Sequence, residues 1–139
     1  MKIFLDANIL VSVLNKEYPL FPLTSRILSL GENSRFQLST SPICLAIALY
    51  FAEKKSKSKL AKRKIDLLVQ NLIISGNSAE SVNLTLQNSS VHDFEDGLEY
   101  YAAIENGCTC IITEDVEDFY FSEIEVLSSK DFFLKYLVK

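Results

Sequence analysis

Acidic residues at three places in the chain have the types and spacing of a divalent-cation site. Asp6 directly follows the apolar stretch KIFL, and Asp115 and Asp118 follow the apolar run that ends at Thr113. Asp96 lies in the first turn of a predicted helix. Carboxylate oxygens are the ligands that Mg²⁺ and Mn²⁺ prefer, and such a cation orients a phosphodiester and lowers the pKa of a bound water. The pattern therefore favours a site for a hard divalent cation.

Each of these acids also has a simpler interpretation when it is taken alone. Asp6 is a suitable N-cap for a helix that starts at Ala7, and the acids at 93 to 96 suit a helix N-terminus. Asp115 and Asp118 fit a turn. Only their joint placement favours a site over a set of caps and turns.

The charges are unevenly distributed along the chain. The net charge of −4 by itself argues weakly against a partner with a phosphate backbone. However, the stretch from Ile65 to Ser129 has no Lys or Arg and carries 13 acids, nine of them between Asp93 and Asp118. Such a stretch is either a solvated acidic face or a cation site, because like charges in contact are costly unless something neutralises them.

Half of the 14 basic residues lie between positions 54 and 64. They are Lys54, Lys55, Lys57, Lys59, Lys62, Arg63 and Lys64. Such a strip can be a solvated helix face, can hold an RNA backbone through phosphate contacts, or can bind an acidic segment of a partner protein. Tyr50 and Phe51 precede the strip and are assigned to an apolar helix, so base stacking is not predicted there.

Short apolar runs alternate with segments of helical periodicity, which predicts an α/β domain with a mostly parallel sheet. Predicted strands cover 2–6, 36–40, 71–75, 109–113 and 125–127. Predicted helices cover 7–14, 23–30, 43–51, 54–70, 78–86 and 94–105, with one more after Ser128 or Ser129. Ligands of such sheets bind beyond the carboxyl ends of the strands. Asp6, Asp115 and Asp118 fall at such ends, and Asp96 is expected to face the same crevice.

Length and composition predict one domain over 1–139, because 139 residues with 48% hydrophobic content suffice for a single core. No apolar run approaches about 18 residues, so no membrane segment is expected. The acid at position 6 interrupts any signal-peptide pattern, which favours the cytoplasm. The three cysteines, Cys44, Cys108 and Cys110, are predicted to be buried and unpaired.

Four segments of the chain resemble the PIN domain, the nuclease fold of VapC-type toxins. They are FLDANIL (4–10), LSTSPICLA (38–46), DFEDGLEYYAAIENGC (93–108) and IITEDVEDF (111–119), in the order that the family has them. The resemblance implies a three-layer α/β/α sandwich and a ribonuclease that depends on Mg²⁺ or Mn²⁺. It also implies an RNA substrate, an antitoxin partner and frequent homodimers.

The resemblance also assigns site residues. It implies that Asp6, Asp96 and Asp115 bind the metal, that these three and Asp118 are catalytic, and that Asn8 and Thr113 support them. The second acid of the family falls at Ile47, which cannot bind a metal. Glu95 is either a replacement ligand or a solvent-exposed helix residue, and Glu53 is a surface residue.

Three hypotheses follow from these observations. The first is a metal-dependent endoribonuclease, the toxin of a toxin–antitoxin pair, with metal binding retained and activity weakened or narrowed by Ile47. The second is a PIN-like module that binds RNA or protein without cleaving it. The third is a nuclease of the same fold that acts on DNA.

Overall fold

The structure is a computed structural model, and it describes residues 1–138. In this part of the chain five strands alternate with seven α-helices. The strands are β1 (Lys2–Leu5), β2 (Gln37–Thr40), β3 (Ile73–Ile74), β4 (Cys110–Ile112) and β5 (Glu125–Leu127). The helices are α1 (Ala7–Leu14), α2 (Phe21–Ser29), α3 (Pro42–Lys55), α4 (Ser58–Val69), α5 (Ala79–Gln87), α6 (Phe94–Glu105) and α7 (Ser129–Phe132). Short 3-10 turns cover Leu30–Glu32 and Val116–Phe119, and a π-helical turn follows α7 over Phe133–Leu137.

The five strands form one parallel sheet in the order β3-β2-β1-β4-β5. The central strand β1 pairs with β2 on one side and β4 on the other, with Ile3 opposite both Leu38 and Cys110. Ile3, Phe4 and Leu5 have no exposed surface, which requires helices on both faces of the sheet. The predicted α/β/α sandwich with a parallel sheet is therefore confirmed. The chain order reverses between β1 and β4, which is where such sheets bind ligands.

Helix α6 begins and ends where its sequence predicts. The Asp93 carboxylate accepts a hydrogen bond from the amide of Asp96 at 3.0 Å and so caps the N-terminus. At the other end Gly107 has a φ of 74°, a value that glycine adopts without strain. The amides of Gly107 and Cys108 then donate to the carbonyls of Ile104 and Ala103, which satisfies the last turn. Cap and stop residues thus fix the position of the Asp96 backbone.

The buried side of α6 differs from the predicted one. The spacing of Leu98, Tyr101, Ala102 and Glu105 predicts one shared helix side, but Leu98 and Tyr101 are only half-buried and Glu105 is exposed. The buried residues are Gly97, Glu99, Tyr100, Ala102 and Ala103. The reason is that α6 packs against α3 and α5, and just after α5 the Asn88 amide donates to the hydroxyl of Tyr101 at 3.0 Å.

The basic segment forms parts of two helices, whereas one helix over 54–70 was predicted. Helix α3 continues to Lys55, and Ser56 is extended with a ψ of 161° before α4 starts at Ser58. The Lys64 ammonium donates to the Ser56 hydroxyl at 3.1 Å, which fixes the junction. Lys54 and Lys55 therefore belong to a different helix from Lys59 and the residues that follow it.

Tyr50 and Phe51 lie on the apolar helix α3, as predicted, but the helix does not bury them, because they are 56% and 43% exposed. Helix α3 buries the small residues Cys44, Ala48 and Ala52, which recur every four positions and let the helix approach its neighbours closely. The two aromatic rings project outward instead. The Lys54 ammonium lies 4.4 Å from the ring centre of Tyr50 and 5.5 Å from that of Phe51.

The three cysteines are buried and free, as predicted. Within residues 1–138, none of the helices combines the length and the apolar character that crossing a membrane requires.

Candidate functional site

An open pocket of about 520 Å³ lies at the carboxyl ends of β1 and β4. Eight acidic side chains line it: Asp6, Glu17, Asp93, Glu95, Asp96, Glu99, Asp115 and Asp118. Among the described residues, its lining includes no Lys, Arg or His. The structure therefore brings together all four aspartates that the sequence proposes for catalysis. Asn8 and Glu95 also line the pocket, and the buried Thr113 lies directly behind Asp6.

Asp6 both caps a helix and faces the pocket. One carboxylate oxygen, Oδ1, accepts from the amide of Ala7 at 2.6 Å and starts α1. The other oxygen, Oδ2, accepts from the hydroxyl of Thr113 at 2.8 Å. The cap and the site are thus not alternatives, because the same carboxylate has a separate oxygen for each.

Asn8 joins the ends of the two central strands. Its Nδ2 amide lies 3.4 Å from Asp6 Oδ2, 3.1 Å from Thr113 Oγ1 and 3.1 Å from Asp115 Oδ2. Its Oδ1 accepts from the amide of Glu114 at 3.1 Å. The hydroxyl of Thr113 in turn accepts from the amide of Asp115 at 3.0 Å. This network fixes the orientation of Asp6 and Asp115 relative to each other.

Helix α6 and the turn after β4 bring the other predicted aspartates to the pocket. Asp96 is half-buried, and burial together with Asp93 and Asp118 raises its pKa to about 7. Asp118 is exposed in the turn Val116–Phe119, and its pKa is raised by partial desolvation and by the charge of Asp115. Glu95 is exposed at the pocket rim. Burial, and next the charges of the neighbouring acids, raise these pKa values, so the ionised carboxylates are costly without a cation.

Glu99 is the site residue that the sequence reasoning missed. Its side chain is only 2% exposed, and its Oε1 accepts from the thiol of Cys44 at 2.6 Å. Burial and the neighbouring Asp6 carboxylate raise the pKa of Glu99 to about 11. A signal was present in the sequence, because a residue three positions after Asp96 lies on the same face of a helix.

Helix α3 contributes an apolar wall to the pocket. Ile47 and Phe51 line it, and Val11 of α1 lies beside them. The position at which the resemblance places the second family acid therefore faces the pocket, and it offers no ligand atom there.

The side chains of the pocket fit a hard divalent cation. The carboxylates offer oxygen atoms, which Mg²⁺ and Mn²⁺ prefer. Cys44 adds no thiolate, because burial and Glu99 raise the pKa of its thiol well above the ordinary value. The donors therefore do not suit a soft metal.

None of the seven basic residues between 54 and 64 lines the pocket. Lys55 and Lys64 instead donate to the carbonyls of Asn15 and Leu14 at 2.6 and 3.4 Å, and so bind the C-terminal end of α1. The remaining members of the segment are exposed: Lys54, Lys57, Lys59, Lys62 and Arg63. The exposed basic strip thus runs from the end of α3 along α4.

Fold and site together define an α/β protein that gathers carboxylates at the switch point of a parallel sheet. The chain belongs to the PIN domain family, which it matches over residues 2–117.

Known proteins resemble the chain over nearly its whole length. Ribonuclease VapC1 of Aquifex aeolicus (strain VF5) is 26% identical over 134 residues, which cover 94% of this chain and 92% of that protein. The structure of VapBC2 from Rickettsia felis, bound to a DNA fragment from their promoter, covers 92% of this chain and 98% of its own, with a TM-score of 0.68 and 22% identity. The structure of VapBC-1 from nontypeable Haemophilus influenzae covers 94% of this chain and 99% of its own, with a TM-score of 0.69 and 20% identity. The structure of Mycobacterium tuberculosis VapC20, a sarcin-ricin loop cleaving toxin, covers 88% of this chain and 98% of its own, with a TM-score of 0.65 and 14% identity. These structures share the fold.

Proposed function

We propose that this protein is a metal-dependent endoribonuclease of PIN type and the toxin component of a toxin–antitoxin pair. The observation that carries the proposal is the pocket at the switch point of the sheet, where Asp6, Asp96 and Asp115 converge. The relative named Ribonuclease VapC1 and the sarcin-ricin loop cleaving toxin VapC20 support RNA as the substrate.

In this proposal Asp6, Asp96 and Asp115 hold Mg²⁺ or Mn²⁺, and all three are catalytic together with Asp118. When bound, the cation supplies a Lewis acid that polarises a phosphoryl oxygen and lowers the pKa of a bound water. Asn8 and Thr113 orient Asp6 and Asp115 through the hydrogen bonds described above. Asp118 is exposed and has a raised pKa, which suits a group that takes a proton from water. Glu95 supports the site from the rim.

The basic strip is proposed to hold the RNA backbone beside the pocket. Its contribution is electrostatic, so it should depend on salt and carry little sequence information. The double variant Lys62→Ala/Arg63→Ala should lower the slope of log affinity against log salt by about 1 to 2 for single-stranded RNA. Lys130→Ala on α7 is the control, and an equal change in that variant would contradict the assignment.

The activity is tested with protein stripped by EDTA and then supplied with Mg²⁺ or Mn²⁺. Wild-type protein should cleave RNA only with the metal, and Asp6→Asn should lower the rate by roughly 100-fold or more. Asp66→Asn makes the same change in charge at an exposed position of α4 and should cleave normally. Cleavage that persists in EDTA or in Asp6→Asn would refute the proposal.

Ile47 favours a second candidate, a module that binds RNA or protein without cleaving it. The apolar wall formed by α3 leaves one side of the pocket without ligand atoms, which is the specific observation behind this alternative. Binding of RNA with no turnover at saturating Mn²⁺ would establish it. Comparing RNA with single-stranded DNA of the same sequence distinguishes the ribonuclease from a DNA-directed nuclease.

An antitoxin partner is proposed because two of the similar structures are named as VapBC assemblies. A ribonuclease toxin acts where its RNA substrates are, so the proposed function places the protein in the cytoplasm. Expression of the chain alone should arrest bacterial growth. A small open reading frame adjacent to its gene, where one is found, should relieve the arrest on co-expression. Size-exclusion chromatography with light scattering decides whether the chain is also a homodimer.

A further inference from the structure

We propose that Glu99 supplies a carboxylate oxygen to the divalent cation of the pocket and that Cys44 positions it. The inference deepens the proposed function, because it concerns the same site and rests on a cation being bound there. It adds a residue that the sequence resemblance does not assign.

The first argument is that Glu99 is buried without a positive charge beside it. Its side chain is 2% exposed. Within residues 1–138 the one ion pair joins Lys135 and Glu125 at a distant surface, so Glu99 has no cationic partner there. Burying a carboxyl without a cationic partner costs free energy that better-packed apolar residues would avoid. Glu99 is therefore a poor choice for stability alone, and such groups concentrate at functional sites.

The second argument is the position of the Glu99 oxygen relative to Asp6. An oxygen of each carboxylate and the sulfur of Cys44 lie within 4.8 Å of one another. Two oxygens that bind the same hard cation, each at about 2.0 to 2.6 Å from it, are separated by at most about 5 Å. Glu99 is thus within the span that a shared ion requires.

The third argument is the chemistry of the surrounding walls. Helix α3 offers the side chains of Ile47 and Phe51, which have no ligand atoms. On α6, Glu95 lies one turn before Glu99 but is exposed at the rim. Of the two glutamates of α6 that line the pocket, Glu99 is the buried one, next to Asp6.

Cys44 fixes the orientation of Glu99. Its thiol donates to Oε1 at 2.6 Å. The Glu99 carboxyl also hydrogen-bonds to Asp6, so a cation that binds both carboxylates displaces the proton between them. Because Cys44 lies on α3 and Glu99 on α6, the hydrogen bond from Cys44 also connects the two helices that enclose the deep part of the pocket. Cys44 acts through Glu99 and is a positioning residue.

The test is isothermal titration of Mn²⁺ into EDTA-stripped and dialysed protein, which reads binding independently of RNA cleavage. Glu99→Gln keeps the size and the acceptor for Cys44 and should weaken Mn²⁺ binding by about 10-fold or more. Glu105→Gln is the matched control on the same helix, at an exposed position that does not line the pocket, and should stay within about 2-fold of wild type. Thermal melting in EDTA checks the fold, and Glu99→Gln should be at least as stable as wild type.

Cys44 is tested by a conservative pair. Cys44→Ser retains a hydrogen-bond donor and should bind Mn²⁺ within about 3-fold of wild type, whereas Cys44→Ala should lose about 5-fold or more. Equal losses in the two variants would mean that Cys44 contributes packing alone. If Glu99→Gln does not fold, Glu99→Asp retains the charge, and its Mn²⁺ electron paramagnetic resonance spectrum should still change relative to wild type.

The outcomes separate this inference from the proposed function. Wild-type protein that binds no Mn²⁺ at millimolar concentration would overturn both. Wild-type protein that binds Mn²⁺ and cleaves RNA, together with a Glu99→Gln variant of unchanged affinity, would overturn the role of Glu99 alone.

Discussion

Thr113 connects the two strand ends of the pocket through a single hydroxyl. The side chain has no exposed surface, and its Oγ1 donates to Asp6 while accepting from the amide of Asp115. A hydroxyl can do both at once, which a methyl group of the same size cannot. Asp6 and Asp115 therefore depend on this residue for their mutual orientation.

Thr113→Val tests this role with a change of one atom. We expect RNA cleavage to fall by about 10-fold or more and stability to fall by about 1 to 2 kcal/mol, because buried acceptor and donor groups lose their partner. Thr109→Val is the control, since the Thr109 hydroxyl is exposed just before the same strand and lies 3.5 Å from the carbonyl of Lys2. Both are measured by initial cleavage rates and urea denaturation. Equal effects in the two variants would show that the Thr113 hydroxyl has no special role.

Asp96 gives the metal-free protein a dependence of stability on pH. Its pKa is raised from 3.8 to about 7, so the folded state binds the proton more tightly than the unfolded state does. The stabilisation is complete below about pH 3.8 and is lost as the pH rises through 7. Urea denaturation in EDTA should show a falling free energy of unfolding between about pH 4.5 and 7.5. Asp96→Asn should reduce this slope, and a slope unchanged from wild type would contradict the assignment.

Among the elements, α6 positions two acids of the pocket, because it carries Asp96 and Glu99. Its own position depends on its packing against α5. The contact is close at Gly97, where a methyl group would lie 2.6 Å from both a Thr85 methyl and a Val91 methyl. Glycine in a helix interior normally costs about 1 kcal/mol relative to alanine. Here close packing outweighs that cost and fixes the distance between the two helices.

Gly97→Ala is therefore expected to destabilise the protein, in spite of the better helix propensity of alanine. Overpacking costs about 1 to 3 kcal/mol of stability, and the better helix propensity of alanine offsets about 1 kcal/mol of that cost. The expected net loss is therefore up to about 2 kcal/mol. Because α6 must shift, Mn²⁺ affinity should also fall. A thermal melt and a Mn²⁺ titration measure the two effects. A more stable Gly97→Ala variant would mean that α5 gives way without cost.

The elements that local signals define could be predicted from the sequence. Helix α6 has an acidic N-cap and a glycine stop, so both of its bounds were predicted. Contacts between distant segments leave no such local signal. The break at Ser56 depends on a hydrogen bond from Lys64, and the exposure of Tyr50 depends on how α3 packs. Glu99 had a local signal in its spacing from Asp96, but its burial beside Cys44, 55 positions away, had none.

At the scale of the whole molecule, the topology gathers negative charge at one edge of the sheet. Acids from β1, α6 and the turn after β4 line one pocket, while the exposed basic strip lies along α4. The net charge of −4 therefore says little about binding to nucleic acid. Repulsion among the pocket acids opposes folding until a cation neutralises them.

Divalent metal should stabilise the fold by mass action. At Mn²⁺ concentrations of about 100 times the dissociation constant the gain is about 2.7 kcal/mol, or roughly 10 °C in melting temperature for a chain of this size. Asp6→Asn should lose most of this shift, and EDTA should reverse it in wild type. Differential scanning calorimetry with Mn²⁺ and with K⁺ at equal ionic strength excludes a general salt effect. A wild-type melting temperature that does not respond to Mn²⁺ would contradict the site.

The pairing of β1 with β4 has a consequence for synthesis on the ribosome. Asp6 is made near the start of translation, but its partner Thr113 is 107 positions later, and Asp115 and Asp118 follow. A nascent chain therefore cannot assemble the pocket until residue 118 has left the exit tunnel, several seconds or more after Asp6 at about 5 to 20 residues per second. Chains that terminate before residue 115 lack Asp115 and Asp118, so such fragments should not cleave RNA if the proposed function holds.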